Sequence, residues 1–280
     1  MYDPEISPEP VAASLPRPVF YIRMARPVVS RVIMGVLLAV FLIEVLYGMV
    51  AYGTRMTFGG TEICVLIDLG AKVNPMIAAG QYWRLFTATL LHDGIIHLLF
   101  NLYALYALGP MLEAYVGSIR FTTIYLLGGL MGSLASYAWS GSVSVGASGA
   151  VFAVIGATTV YFARYHRNFG AQGRAILQNM VVVIVINLLF GLGSGYIDNW
   201  GHIGGLVGGM LVAWGILPRY QPPSVVRMGE QPLEVAERRG LEIAWTVGVV
   251  ALFVAGVFLV TVNYPNPSLQ VLAECATLRQ

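Results

Sequence analysis

The chain has 280 residues, of which 57% are apolar and only 11% charged, with a formal net charge of +2. A soluble domain carries about 25% charged residues. So sparse a polar set cannot cover a water-facing surface, which excludes an ordinary cytosolic enzyme, a disordered chain and a nucleic-acid binder. Two cysteines are too few for a disulfide framework or a cysteine-rich zinc centre.

Residues 1–31 are rich in proline and lack a long apolar stretch, so they predict a flexible N-terminal tail. A bilayer-spanning helix needs about 20 mostly apolar residues. Stretches near 32–53, 94–111, 121–139, 147–163, 176–190, 200–217 and 242–263 predict seven spans, an all-α polytopic membrane protein. No small-residue cleavage signal precedes the first span, so it is expected to be an uncleaved anchor. The segment 54–93, closed by His92-Asp93-Gly94, predicts an ordered outer loop of the length that tends to carry function. Residues 218–241 read as a linker and 264–280 as a tail.

Basic residues set the orientation. With the N-terminus inside, the inner segments hold Arg17, Arg23, Arg26, Arg31, Arg120, Arg164, Arg167, Arg174, Arg219, Arg227, Arg238 and Arg239. Only Arg55, Lys72, Arg84 and Arg279 fall outside. This bias predicts a cytoplasmic N-terminus and linker, an outer C-terminus and residence in a cell (inner) membrane.

Polar groups within spans are costly and are functional candidates by default. Gly146-Ala147-Ser148-Gly149 places a serine where a loop becomes a helix. There the free N–H groups and the helix dipole suit a nucleophile whose attack creates an oxyanion. A serine N-cap in a packing seam is the alternative. Gly201-His202-Ile203-Gly204-Gly205 supplies a histidine, the usual partner that deprotonates a serine. Gly201, Gly205 and Gly209 make one smooth face for close helix contact. His97 and Asn101 are four apart, share a helix face and both donate hydrogen bonds; structural bonds between helices are the alternative for all three. Glu44, mid-span, is expected to bond the outer loop or a neighbouring helix. The second, fourth and sixth spans run in the same direction. His97, Ser148 and His202 therefore fall at one shallow depth below the outer face.

In this order and spacing, Trp83-Arg84, His92, His97-Leu98-Leu99-Phe100-Asn101, Gly146-Ala147-Ser148-Gly149 and Gly201-His202-Ile203-Gly204-Gly205 resemble the rhomboid family of intramembrane serine proteases. The resemblance covers about 32–217 and implies a six-helix catalytic core, with 242–263 as an additional C-terminal transmembrane helix. It implies a dyad in which Ser148 attacks and His202 is the base, with an oxyanion hole from His97, Asn101 and the Ser148 N–H. Phe152 is expected to stack on His202, Trp83-Arg84 to be structural, and the fifth helix with the loop at 191–199 to form a mobile gate. Asp198 is left out of the catalytic set. The implied partners are the lipid bilayer and single-pass transmembrane protein substrates, with no nucleic acid and no cofactor.

A proteolytically inert relative that binds membrane-protein clients is the alternative. A proton-carrying transporter is a third reading, but it would place polar residues near mid-membrane or show inverted repeats. Cys64 and Cys275 would face the same outer space. A disulfide between the large loop and the C-terminal tail is one outcome, and two free thiols the other.

Overall fold

The computed structural model describes residues 18–54, 60–193, 197–265 and Cys275. The chain is all-α: α1 (Val29–Tyr52), three short helices α2 (Ile63–Leu69), α3 (Asn74–Ala78) and α4 (Arg84–Thr87), then α5 (Gly94–Val116), α6 (Ser118–Trp139), α7 (Ser148–Gly193), α8 (Asn199–Ile216) and α9 (Arg239–Val262). Val29–Tyr52, Gly94–Val116, Asn168–Gly193 and Arg239–Val262 are each long and apolar enough to cross a membrane. α6, with its serines, threonines and Arg120, and α8, with six glycines, do not reach that mark.

Three differences from the expected elements stand out. The fifth span begins near Asn168 rather than 176, and only a kink, not a loop, separates it from the fourth. The bend sits where Tyr165 and Gly170 leave helical geometry, and Gly170, at φ +52°, takes a conformation that costs other residues energy. The expected N-terminal tail is ordered in part, since β1 (Val19–Tyr21) precedes α1. The expected linker contains β2 (Tyr220–Gln221), β3 (Glu230–Pro232) and β4 (Glu234–Val235). β1 pairs in parallel with β3, and β2 in antiparallel with β4. These strands form a small unit of their own, 18–23 with 218–237, apart from the helical unit.

Within the helical unit, α6, α7 and α8 touch backbone to backbone. A Cβ on Gly205 would lie 2.0 Å from the Gly149 carbonyl oxygen, and one on Gly209 2.2 Å from that of Ala153. A Cβ on Gly132 would lie 2.7 Å from the Gly201 oxygen. Small residues let membrane helices approach this closely, and dispersion contacts then replace the hydrophobic drive that lipid does not supply.

The other helices are fastened by polar clamps. The N-cap residue Val28 offers α1 no side-chain bond, but the Glu113 carboxylate of α5 accepts from the Val28, Val29 and Ser30 N–H groups at 2.8–3.0 Å and from the Ser30 hydroxyl at 2.8 Å. Glu44, fully buried, accepts from the His92 N–H at 3.2 Å, which joins α1 to the outer loop. Arg84 donates to the carbonyls of Ile67 and Ala71 at 2.7 and 3.1 Å and lies over the Trp83 ring. The Trp83-Arg84 pair thus organises the loop itself. Cys64 and Cys275 are joined in a disulfide, with their Cα atoms 5.4 Å apart, next to Ile67 and Val73.

Candidate active site

Ser148 is the first residue of α7. The turn before it is hung from the outer loop at two points. Ser144 and Lys72 exchange backbone bonds of 2.9 and 3.1 Å, and the Gly146 N–H donates to the Ala88 carbonyl at 2.8 Å. The first bond of the helix runs from Val151 N–H to the Ala147 carbonyl, so the N–H groups of Ser148 and Gly149 precede the ladder and point out of its positive end.

Gly146 sits at φ +128°, and a side chain is excluded there for a second reason. A Cβ would lie 2.7 and 2.8 Å from Cε1 and Nε2 of His97 and 3.8 Å from the Ser148 hydroxyl oxygen. The space over Gly146 is therefore shared by the His97 ring and the Ser148 hydroxyl. His97, the fourth residue of α5, accepts a long bond of 3.4 Å at Nδ1 from the Asp93 N–H. With Nδ1 accepting, the ring proton sits on Nε2, the nitrogen facing Gly146. Asn101 donates one amide proton to the His97 carbonyl at 3.0 Å and keeps a second. His92 packs edge-on behind His97, their ring centres 5.3 Å apart. It is fully buried, and neither of its ring nitrogens has a hydrogen-bond partner among the described residues. Burial, aided by the neighbouring His97, pushes its pKa down to about 3, so it is a neutral wedge.

His202 lies in the first turn of α8. The Phe152 ring of α7 stacks on it, with centres 4.3 Å apart and planes 10° from parallel. Its Nδ1 is buried without a hydrogen-bond partner among the described residues. Asp198, four residues earlier, is engaged elsewhere: one oxygen accepts from the Gly201 N–H at 3.0 Å and the other from the Ser136 hydroxyl. Asp198 therefore caps α8 instead of orienting the imidazole through its carboxylate. The helix contact that carries His202 towards Ser148 is the seam of Gly205 on Gly149.

A small pocket opens beside Ser148, walled by Gly132, Gly149, Ser136, Lys72 and Asp198 among others. The sequence analysis singled out neither Lys72 nor Ser136. One signal was available, because Lys72 is the chain's only lysine. Gly191 and Gly193, expected in a loop, belong to the end of α7. Gly195 lies outside the described residues. No cluster of His, Cys, Asp and Glu able to hold a metal occurs among the described residues.

Comparison with known proteins bears on the whole region. The model of the Rhomboid domain matches residues 79–219. The chain is 47% identical to Rhomboid protease GluP of Bacillus subtilis (strain 168) over 155 residues, 55% of this chain and 30% of that protein. It is 32% identical to RHOMBOID-like protein 5 of Arabidopsis thaliana over 176 residues, 59% of this chain and 56% of that one. It is 34% identical to Rhomboid-like protease 1 of Toxoplasma gondii over 152 residues, 53% and 52%. The chain thus covers less than two thirds of each relative's own length. The domain match takes in half of the chain, from the outer loop through the segments bearing His97, Ser148 and His202, and on this evidence the chain is an integral membrane protein that belongs to the rhomboid family.

Proposed function

We propose that the chain is an intramembrane serine endopeptidase that cleaves single-pass membrane proteins in or near their transmembrane helices. The observation that carries this reading is the convergence over Gly146 of the His97 Nε2 and the Ser148 hydroxyl at the positive end of α7. The protease names of the relatives from Bacillus subtilis and Toxoplasma gondii agree with it.

In this reading the Ser148 oxygen attacks the scissile carbonyl while His202 takes the hydroxyl proton. Negative charge then grows on the former carbonyl oxygen. The His97 Nε2–H, the free Asn101 N–H and the Ser148 main-chain N–H are the donors for it, preorganised in a site of low dielectric. The tetrahedral species collapses as His202 returns the proton to the departing amine, leaving an acyl ester on Ser148. A water molecule reaching the ester through the polar pocket, and deprotonated by His202, completes hydrolysis. Phe152 holds the imidazole flat by stacking and offers no hydroxyl. This chemistry uses no cofactor.

Residues 32–217 form the catalytic core, 1–31 and 218–241 lie on the cytoplasmic side, and 242–263 and 264–280 are the added span and outer tail. The arginine bias supports a site at the outer face of a cell (inner) membrane. An intact substrate helix hides its carbonyls in hydrogen bonds, so it has to unwind before it reaches Ser148, and helix-breaking residues near the cut favour cleavage.

The test is cleavage of a fluorescent single-pass reporter by the detergent-solubilised chain beside Ser148→Ala and His202→Ala. Both variants are expected to fold and to lose at least about a thousandfold in rate. Equal cleavage by all three would reject the dyad. A folded chain that binds but never cleaves a panel of reporters would favour the inert-relative reading.

A further inference from the structure

Lys72, the only lysine of the chain, is 1% exposed. A buried ammonium is costly unless its donors are met. Its Nζ donates to the carbonyls of Ser136 and Ser140 at 3.3 and 2.8 Å. These lie at the end of α6, where the dipole favours a cation; the Ser136 carbonyl also accepts from the Ser140 N–H at 2.8 Å and the Ser140 carbonyl from the Asn74 amide at 2.9 Å. The main chain of the same residue exchanges both of its bonds with Ser144, two residues before Gly146. Ser136, through its hydroxyl, donates to Asp198, and Asp198 caps the Gly201 N–H beside His202. Lys72 and Asp198 both wall the pocket beside Ser148. One residue thus stands where the segment leading into Ser148 meets the segment leading into His202.

We propose that Lys72 is a positioning residue for hydrolysis. Its ammonium group ties the end of α6 to the turn before Ser148 and, through Ser136 and Asp198, to the start of α8, and so fixes the spacing of the nucleophile and its base. This inference rests on the protease reading of Ser148 and His202.

The charge on Lys72 is titratable within an accessible range. Burial pushes the ammonium down to about 8, with the Asp198 carboxylate opposing the shift. Asp198 is the one acidic residue among those walling the pocket. Asn74, Ser136, Ser140 and Ser144 around Lys72 are uncharged. On the other side of the loop, Arg84 is bonded to the Ala71 carbonyl, with Asp68 as its nearest acidic influence. Below pH 8 the ammonium is present and holds the two segments. As pH rises through 8 the charge is lost and turnover falls. Stability moves the other way. The folded-state pKa lies below the ordinary 10.5, so between 8 and 10.5 the unfolded chain binds the proton more tightly and the fold gains stability as pH rises. Loss of rate without loss of fold separates positioning from simple support.

The experiment measures kcat and KM of the full solubilised chain on a fluorescent single-pass reporter from about pH 6 to about 10, for the unchanged protein, Lys72→Arg and Lys72→Met. Thermal unfolding and labelling of Ser148 by a fluorophosphonate are followed at each pH. The unchanged chain is expected to show an alkaline limb near pH 8 that moves beyond about 10 in Lys72→Arg. Lys72→Met is expected to lose about ten- to a hundredfold in kcat below pH 8, with KM within about twofold, and to approach the unchanged chain as pH rises past 8. An alkaline limb that stays near 8 in Lys72→Arg, or an unaltered kcat in Lys72→Met, overturns the proposal. Should Lys72→Met not fold, the Arg variant decides. A folded, unchanged chain that neither cleaves nor takes the label overturns the protease reading itself, an outcome distinct from the other two.

Discussion

α8 and the second half of α7 follow each other in the chain and have opposite construction. α8 is set into α6 and the first half of α7 through main-chain contacts at Gly201, Gly205 and Gly209. The apolar window within Asn168–Gly193 is only 11% buried, and Ile186, Phe190 and Leu192 are 59%, 72% and 77% exposed. Among the described residues its far end is held by one polar fastening, in which the Asn199 amide donates to the Leu188 carbonyl at 3.1 Å. Close backbone packing suits a part that must keep Ser148 and His202 in register, as the proposed chemistry requires. A lipid-facing surface with a single tie suits a part that opens at little cost.

The comparison can be broken most sharply in the seam. In Gly205→Ala the new methyl meets the Gly149 oxygen at 2.0 Å and its carbonyl carbon at 2.7 Å. These are main-chain atoms that cannot swing aside, so a loss of about 3 kcal/mol or more is expected, read as a collapse of thermal stability and of reporter cleavage together. Gly248→Ala in α9, where nothing lies within 4 Å of the new Cβ, is the matched control. It is expected to be neutral or to stabilise by about 0.5–1 kcal/mol.

Acid tests the wall behind His97. The pKa of His92 is about 3 against an ordinary 6.5. Between those values the unfolded chain takes up a proton that the folded chain refuses, so stability is lost as pH falls from 6.5 towards 3. Thermal unfolding across that range is expected to show the decline, and His92→Phe to flatten part of it. Equal slopes in both proteins would contradict the neutral-wedge assignment.

Smaller effects belong to the loose half. Asn199→Ala removes the tie at a cost of about 1 kcal/mol. Faster hydrogen exchange is expected over residues 186–193, with no change in the seam. If exchange rises equally in both, the two regions are one cooperative unit. Ile186→Ala, on the lipid-facing side, is expected to change stability by less than about 0.5 kcal/mol.

Much of this architecture is legible in the sequence because the bilayer makes polar residues conspicuous. The helix starts at Gly94, Ser148 and Asn199 were marked by glycines and lone polar groups at the edges of apolar runs. His97, Ser148 and His202 stood out for the same reason. Lys72 did not, because its partners are the carbonyls of Ser136 and Ser140, which any residue type provides and no motif records. The strands were hidden differently. Val19 pairs with Glu230 across almost the whole chain, and three-residue strands carry too little alternation to be seen. The kink in α7 was not foreseen because the polar segment from Arg164 to Arg174 reads as a connecting loop, whereas the chain stays helical on both sides of Gly170.

The bond between Cys64 and Cys275 spans a sequence separation of 211 residues, so every helix from α2 to α9 lies on a closed covalent ring. A protease that nicks the exposed stretch around Val225 and Val226 opens that ring without releasing a piece. On a gel run without reductant the nicked chain would migrate as one species, and two fragments would part only after reduction. α9 thus has two independent moorings to the rest of the molecule, one through the main chain at its start and one through sulfur beyond its end, and severing either alone leaves it attached.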